Sequence, residues 1–356
     1  MGFLFATASD VTLIVIEEPS ENDERKKKTA LFHAERSKLI ASSPYFERML
    51  SSRWEGSGSH NPTLRGDTIK SMEVMLGVIH GVDTKPETVS VADVWYTIKA
   101  CNKYQLDPKR LMGWFAQWIK WIDQETPARW ENWAFNRQLL FPCYFFDHAE
   151  AFQHVSKRVV YNTPGHITEM APTDSPSFEP MHMPPIVMQQ LNAARGRLRT
   201  ILQRSLFEDA NVAIDYAHCN CAARNIFFYM RELHRIGVRP LDSEIHKNCV
   251  RDILDRLENF DDDTITNSHP ASAQICNACS RSWKRVVEYT QRQVKSYFDG
   301  LCLDCMQNHP DENSEYWALD TPRYVYDNTC RIRHGEPTWY FSFMGRRDRN
   351  PYRTQS

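Results

Sequence analysis

The order of hydrophobic and polar positions predicts two strands near the start of the chain. Residues 10–16 (DVTLIVI) form a short run rich in β-branched side chains, and residues 29–33 form a second run. The charged stretch 21–28 lies between the two runs and is typical of a solvated turn. We therefore expect two strands joined by a polar loop.

After Arg36 the hydrophobic spacing changes to that of helices. The apolar residues recur at helical spacing, and Pro44 stands where a second helix can begin; they are Leu39, Ile40, Tyr45, Phe46, Met49 and Leu50. The Ser- and Gly-rich residues 51–66 predict a loop around a short edge strand. Helical periodicity then returns at residues 68–80, 91–104 and 108–122.

Three segments of this first part resemble a BTB (POZ) domain, a protein-interaction fold. They are SDVTLIV at residues 9–15, SKLIASSPYFERML at 37–50 and IKACNKYQLDPKRL at 98–111. The resemblance implies a small mixed sheet flanked by helices, without a catalytic centre. One position departs from the family, because Glu35 stands where a core-loop histidine is usual and His33 lies two places earlier. This puts in question the family's hydrogen bond from that histidine to the position of Asp10.

The rest of the chain is expected to be mainly α-helical, which makes the fold class α+β. Residues 139–162 resemble a second helical unit of the large BTB proteins of filamentous fungi, and GLCLDCM at 300–306 resembles their C-terminal cysteine segment. Six prolines in residues 161–185 predict a linker or long loop. The predicted organisation is a BTB domain at 9–122, a helical extension at 123–162, a Pro-rich linker or loop at 163–185, a mainly helical domain with clustered cysteines at 186–345, and a basic tail at 346–356.

Composition and charge limit the classes of function. The net charge of −2 and the pI of about 6.7 give no overall attraction to nucleic acid or to anionic membranes. The apolar N-terminus is too short for a signal peptide, and no stretch approaches the roughly 18 apolar residues of a transmembrane helix. We expect an intracellular protein, cytoplasmic or nuclear, in which the ten cysteines are buried thiols or metal ligands rather than disulfides.

Two Cys-x2-Cys pairs form the sharpest chemical feature. Cys276 and Cys279 are followed after 22 residues by Cys302 and Cys305, and a two-residue gap lets both thiolates point at one tetrahedral zinc ion. Cys219 and Cys221 form a further pair, while His218 and His309 are weaker candidates. Either the two Cys-x2-Cys pairs share one zinc, or Cys219 and Cys221 join one pair and release the other, or two sites exist.

Zinc at these cysteines would be structural, because four protein ligands leave no position for a reacting water. The competing interpretation is a set of separate buried thiols. Cys101, Cys143 and Cys249 are expected to be packed thiols of that kind.

No motif in the sequence identifies an enzyme. His148 and Glu150 match the H-x-E part of a zinc deaminase signature, but Ile275 precedes the Cys-x2-Cys pair where that signature has proline. Phosphate-binding lysine loops, dinucleotide-binding glycine runs and nucleophile elbows are absent from the sequence. Trp114, Trp118 and Trp121 share one helical face, which we interpret as core packing rather than as an aromatic groove for a partner.

The sequence therefore predicts a non-enzymatic adaptor that binds proteins through its BTB domain, as a homo-oligomer or as a substrate adaptor of a cullin-type ubiquitin ligase. The alternative is a zinc-containing, nucleic-acid-binding transcriptional regulator. That alternative rests on the paired cysteines and on two arginine clusters, for which solvated surfaces are the commoner explanation. The clustered arginines are Arg195, Arg197, Arg199 and Arg204, and in the tail Arg346, Arg347, Arg349 and Arg353.

Overall fold

A computed structural model describes most of the 356-residue chain. The described residues are 2–5, 9–18, 27–51, 61–172, 178, 181–217, 219–266, 282–307, 330–334, 337–338 and 341–345. They fall into two compact units. The first unit comprises Met1–Ala151 and Glu169–Met183, and the second comprises Phe152–Thr168 and Pro184–Ser356. In the described part of the chain, no helix is both long enough and apolar enough to cross a bilayer.

The first unit combines a small sheet with helices, as the α+β prediction requires. Its strands are β1 (Gly2–Leu4), β2 (Val11–Glu17), β3 (Lys28–Ala34) and β4 (Thr63–Arg65). Its helices are α1 (Arg36–Ser42), α2 (Pro44–Leu50), α3 (Ile69–His80), α4 (Val91–Lys103), α5 (Met112–Glu125), α6 (Trp133–Phe145) and the first residues of α7 (Ala149–Asn162).

The sheet is mixed, with the strand order β1-β3-β2-β4. Strands β2 and β3 pair antiparallel with Leu13 opposite Phe32, whereas β1 pairs parallel with β3 and β4 pairs parallel with β2. Successive side chains point to opposite faces of a strand. Leu13, Val15 and Phe32 therefore share the fully buried face. The three-residue β1 was not predicted, because it is too short to show a period.

Capping interactions stabilise the N-termini of helices α2 and α4. Pro44 occupies the first turn of α2, and the Ser43 hydroxyl accepts a hydrogen bond from the Phe46 N–H at 3.1 Å. The same hydroxyl donates to the Tyr104 carbonyl at 2.5 Å, while the Phe46 ring stacks on the Tyr104 ring with centroids 5.1 Å apart. Helix α4 begins with a capping box formed by Ser90 and Asp93.

Helix α5 carries the tryptophan stripe. Trp118 is fully buried and Trp114 is 8% exposed, while Trp121 is partly exposed. The Trp118 indole N–H donates to the Val89 carbonyl at 3.1 Å, so its polar atom is satisfied inside the core. The core-packing interpretation of Trp114 and Trp118 is therefore confirmed.

The second unit is mainly helical. After the remainder of α7 it contains α8 (Pro185–Tyr216), α9 (Asn220–Arg235), α10 (Leu241–Lys247), α11 (Val250–Leu257), α12 (Asp263–Thr266), α13 (Trp283–Lys295) and α14 (Leu303–Gln307), followed by the paired strands β5 (Pro337–Thr338) and β6 (Phe341–Gly345). Helix α8 buries one stripe along its length, at Val187, Leu191, Ala194, Leu198, Leu202 and Leu206.

One helix of this unit differs from the sequence prediction. The single helix expected at residues 246–259 is divided into α10 and α11, because Cys249 and Asp252 form a capping box that starts a new helix. The described residues of the predicted Pro-rich linker or loop form no α-helix or strand before α8 begins at Pro185, but some of their side chains are buried. Ile167 is buried in the second unit, while Phe178, Met181 and Met183 are buried in the first.

Candidate functional site

Four potential metal ligands converge in the second unit. The Sγ atoms of Cys302, Cys305 and Cys330 and a ring nitrogen of His334 all lie within 4.8 Å of one another. Cys305 Sγ is 3.6 Å from Cys330 Sγ and 3.3 Å from His334 Nε2. Cys302, Cys305 and His334 are buried, and Cys330 is partly exposed. We refer to these four residues as the Cys3His cluster.

The backbone just before Cys302 requires a glycine. Gly300 has φ +103°, and a Cβ atom at this position would lie 2.0 Å from the Gln153 carbonyl oxygen. The close passage brings the Leu301 N–H to the Ser156 hydroxyl, to which it donates at 2.7 Å. This hydrogen bond holds the loop against α7 just before the first cysteine of the cluster.

An ion pair joins the two segments that supply the ligands. The Arg331 backbone N–H donates to Asp304 Oδ2 at 2.7 Å, and the Arg331 guanidinium contacts Asp304 Oδ1 at 2.6 Å. Asp304 lies between Cys302 and Cys305, and Arg331 follows Cys330. The ion pair thus aligns the second ligand segment beside α14, while Ile332 is buried between the ligands Cys330 and His334.

Proximity of the thiols changes their acidity. The pKa of Cys302 falls to about 4, chiefly because the Cys305 thiol donates a hydrogen bond that stabilises the Cys302 thiolate. The same interaction raises the pKa of Cys305. Burial raises the pKa of Cys330 to about 11. A cation is the usual way to hold several such sulfurs together as thiolates, because it compensates their negative charge.

The donor set and spacing fit a tetrahedral ion. With zinc–sulfur bonds of about 2.3 Å, two tetrahedral thiolate ligands lie about 3.8 Å apart. The Cys305–Cys330 separation of 3.6 Å is close to that value. Three sulfurs and one imidazole nitrogen form a closed set of four ligands, which is typical of structural rather than catalytic zinc. The cluster could therefore hold a metal ion.

The structure brings together only part of the predicted ligand set. Cys302 and Cys305 lie in the cluster, whereas Cys330 and His334 were not singled out from the sequence, although their Cys-x3-His spacing resembles that of paired zinc ligands. Cys219 and Cys221 lie elsewhere in the unit, with their Sγ atoms 3.3 Å apart. The remaining candidates Cys276, Cys279, His218 and His309 lie outside the described residues.

In the first unit, apolar side chains are exposed on the outer face of the sheet. Leu4 on β1 is 66% exposed and Leu31 on β3 is 39% exposed. Ile14 and Ile16 on β2 are partly exposed on the same face, since the alternate residues of β2 are buried. We refer to Leu4, Ile14, Ile16 and Leu31 as the outer sheet face.

Comparison with known families identifies part of the chain. The family model for the BTB/POZ domain matches residues 5–110, a stretch that contains strands β2 to β4 and helices α1 to α4. Residues 5–110 form a BTB/POZ domain. The match covers less than a third of the 356 residues. No curated protein matches the chain.

The BTB domain uses a different core-loop network from the one the family resemblance implies. Asp10 accepts a hydrogen bond from the Arg36 backbone N–H at 2.7 Å, and His33 pairs with the Thr12 hydroxyl at 3.0 Å. His80 accepts instead from the Glu35 N–H at 3.0 Å through Nε2. A histidine from α3 thus contacts the loop in which Glu35 replaces the usual histidine.

Proposed function

We propose that this protein is a non-enzymatic adaptor that binds other proteins through its BTB domain. The observation that carries the proposal is the BTB/POZ match, since domains of this family are protein-interaction modules. The outer sheet face is a candidate binding surface, because it presents the apolar side chains of Leu4 and Leu31 to solvent.

The first partner we propose for the outer sheet face is a second copy of the chain. Strand β1 stands at the edge of the four-stranded sheet, and the neighbouring Leu4 and Leu31 lie where a two-fold interface can bury them twice. A cullin scaffold is the second proposed partner. The residues in which a cullin-contact pattern was sought, Trp54 to Gly56, lie outside the described residues.

Light scattering after size exclusion tests self-association. We expect a mass near twice the 41.7 kDa chain, and we expect the double variant Leu4→Glu with Leu31→Glu to return it to the monomer mass. The control is Val82→Glu, since Val82 is 38% exposed beyond the end of α3 and lies outside the outer sheet face. A monomeric wild type that also fails to retain a purified cullin scaffold would overturn the adaptor proposal.

We also propose that the Cys3His cluster binds one structural zinc ion. The separations among its ligand atoms and its closed donor set support zinc over metals that prefer oxygen ligands or an open site. Metal analysis of the purified protein tests this proposal. His334→Ala should lose one equivalent of zinc, whereas Cys249→Ser, which alters a buried thiol outside the cluster, should lose none.

A second zinc ion is proposed for Cys219 and Cys221 together with Cys276 and Cys279. Since Cys302 and Cys305 have other partners in the Cys3His cluster, the first Cys-x2-Cys pair is left for another site. Asn225, four positions after Cys221, accepts a hydrogen bond from the Trp283 indole at 3.0 Å.

Trp283 also follows Cys279 by four positions, so the described neighbours of both cysteine pairs are in contact. Replacing Cys276 and Cys279 by serine should remove a second zinc equivalent and leave the first. A stoichiometry of one that this double variant does not change would exclude the second site.

Two of the four arginines clustered in α8 already have partners within the protein. Arg195 is buried and donates to the Ile245 carbonyl, and Arg204 is paired with Glu208. Phosphate contacts require exposed cations on one surface. The basic tail, residues 346–356, lies outside the described residues.

A further inference from the structure

The ligands of the Cys3His cluster come from two segments that are far apart in the chain. Cys302 and Cys305 lie at the start of α14, while Cys330 and His334 belong to a later segment that leads into β5 and β6. A metal ion bound by all four residues would therefore cross-link the later segment to the helices of the second unit.

Packing gives residues 330–334 limited support of their own. Among residues 330–334, Ile332 and His334 are buried, whereas Arg331 and Arg333 are exposed and Cys330 is partly exposed. The following strand β6 packs against α14 and α8, so its position does not depend on the metal alone. The other ties of residues 330–334 are the buried Ile332 side chain and the ion pair from Arg331 to Asp304, which is 19% exposed, whereas a metal ion bound by Cys330 and His334 would fix both ends of this segment.

We infer that metal binding holds residues 330–334 on the helical unit as a latch, and that removal of the metal releases this segment while the helices stay folded. The inference rests on the proposed zinc site. Coordination is coupled to folding because the ligands converge only when the later segment is docked. The helices, in contrast, have a core made of α8 and α13 side chains such as Leu198 and Val287, which does not include the ligands.

Limited trypsin digestion of the full-length protein tests the latch. Arg331 and Arg333 are trypsin sites inside this segment, and cleavage there requires the backbone to become disordered and, at Arg331, the ion pair to Asp304 to open. We expect slow cleavage after these residues in zinc-loaded protein and a rise in rate of about tenfold or more after treatment with a chelator. Cleavage after Lys295, at the end of α13, reports whether the helices have unfolded.

Two variants separate metal binding from packing. His334→Ala removes a ligand and should be cleaved rapidly after Arg331 and Arg333 even with zinc present. Asp304→Ala removes the ion pair to Arg331 but keeps all four ligands, so its zinc-loaded form should stay protected.

The other outcomes contradict either the zinc proposal or the latch. If the protein binds no zinc, the zinc proposal fails and the latch fails with it. If zinc is bound but chelation does not change cleavage after Arg331 and Arg333, only the latch fails. The latch is also wrong if Lys295 is exposed to cleavage at the same rate, or if Asp304→Ala is cleaved as fast as His334→Ala.

Discussion

Replacing Gly300 by alanine perturbs the loop that delivers Cys302 to the Cys3His cluster. The backbone at Gly300 has φ +103°, a conformation that residues with a side chain rarely adopt. The added Cβ would also lie 2.0 Å from the Gln153 carbonyl oxygen, which belongs to the backbone of α7 and cannot rotate away. The loop must therefore move by about 1 Å or more to reach an ordinary van der Waals contact.

The cost can be estimated from the groups that move. A side chain in a sparsely populated backbone region costs about 1–3 kcal/mol. Displacing Leu301 breaks the hydrogen bond from its buried N–H to the Ser156 hydroxyl, which costs about 1–3 kcal/mol more when that N–H is left unpaired. We expect Gly300→Ala to lower the free energy of unfolding of the second unit by about 3 kcal/mol.

Urea denaturation followed by circular dichroism, with zinc held in excess, measures this change. The matched control is Gly196→Ala in α8 of the same unit, where nothing lies within 4 Å of the added Cβ. That control should raise the free energy of unfolding by about 0.5–1 kcal/mol, since alanine is favoured over glycine inside a helix. An unfolding midpoint for Gly300→Ala equal to that of wild type would refute the close-approach argument.

Three further predictions concern the first unit. Burial lowers the pKa of His80 below its usual 6.5, so the unfolded state binds the proton more readily, and stability should fall as the pH drops below about 6.5. His80→Gln should remove that part of the pH dependence in urea titrations. Asp67 is almost fully buried beside Lys103. Asp67→Asn should lower the free energy of unfolding by about 1–3 kcal/mol, because the Lys103 ammonium loses its charged partner. In denaturation measurements, the double variant Asp67→Asn with Lys103→Met should lose less stability than Asp67→Asn alone, which would confirm that the two side chains are coupled. Trp118→Ala should cost about 3–5 kcal/mol, whereas Trp133→Ala, at a 39% exposed position, should change the thermal midpoint little. Equal losses for the two tryptophans would contradict the assigned core.

Much of the BTB domain could be predicted because its determinants are local. The β-branched run at residues 10–16 indicated strand β2, and the Ser43-Pro44 pair supplies both a cap and a first-turn proline. Such signals lie within a few positions of one another, so they are visible before the chain folds. Strand β1 gives no such signal, since its three residues are defined by pairing with β3.

The full ligand set of the metal site could not be predicted from local sequence patterns. The Cys302–Cys305 spacing indicated a ligand pair, but Cys330 and His334 join it from a segment 25 residues further along the chain. Three alternative pairings of the cysteines were compatible with the sequence. Only the packing of α14 against the Arg331 segment decided which ligands accompany Cys302 and Cys305.

The sequence by itself determined the elements whose signals are periodic or adjacent, namely the β2–β3 pair, the capped helices and the Cys-x2-Cys spacing. Tertiary structure decided which distant residues meet, because convergence in space depends on how whole helices pack. Gly300 illustrates the difference. Its residue type is visible in the sequence, yet the need for glycine arises only from the Gln153 carbonyl against which the folded chain passes.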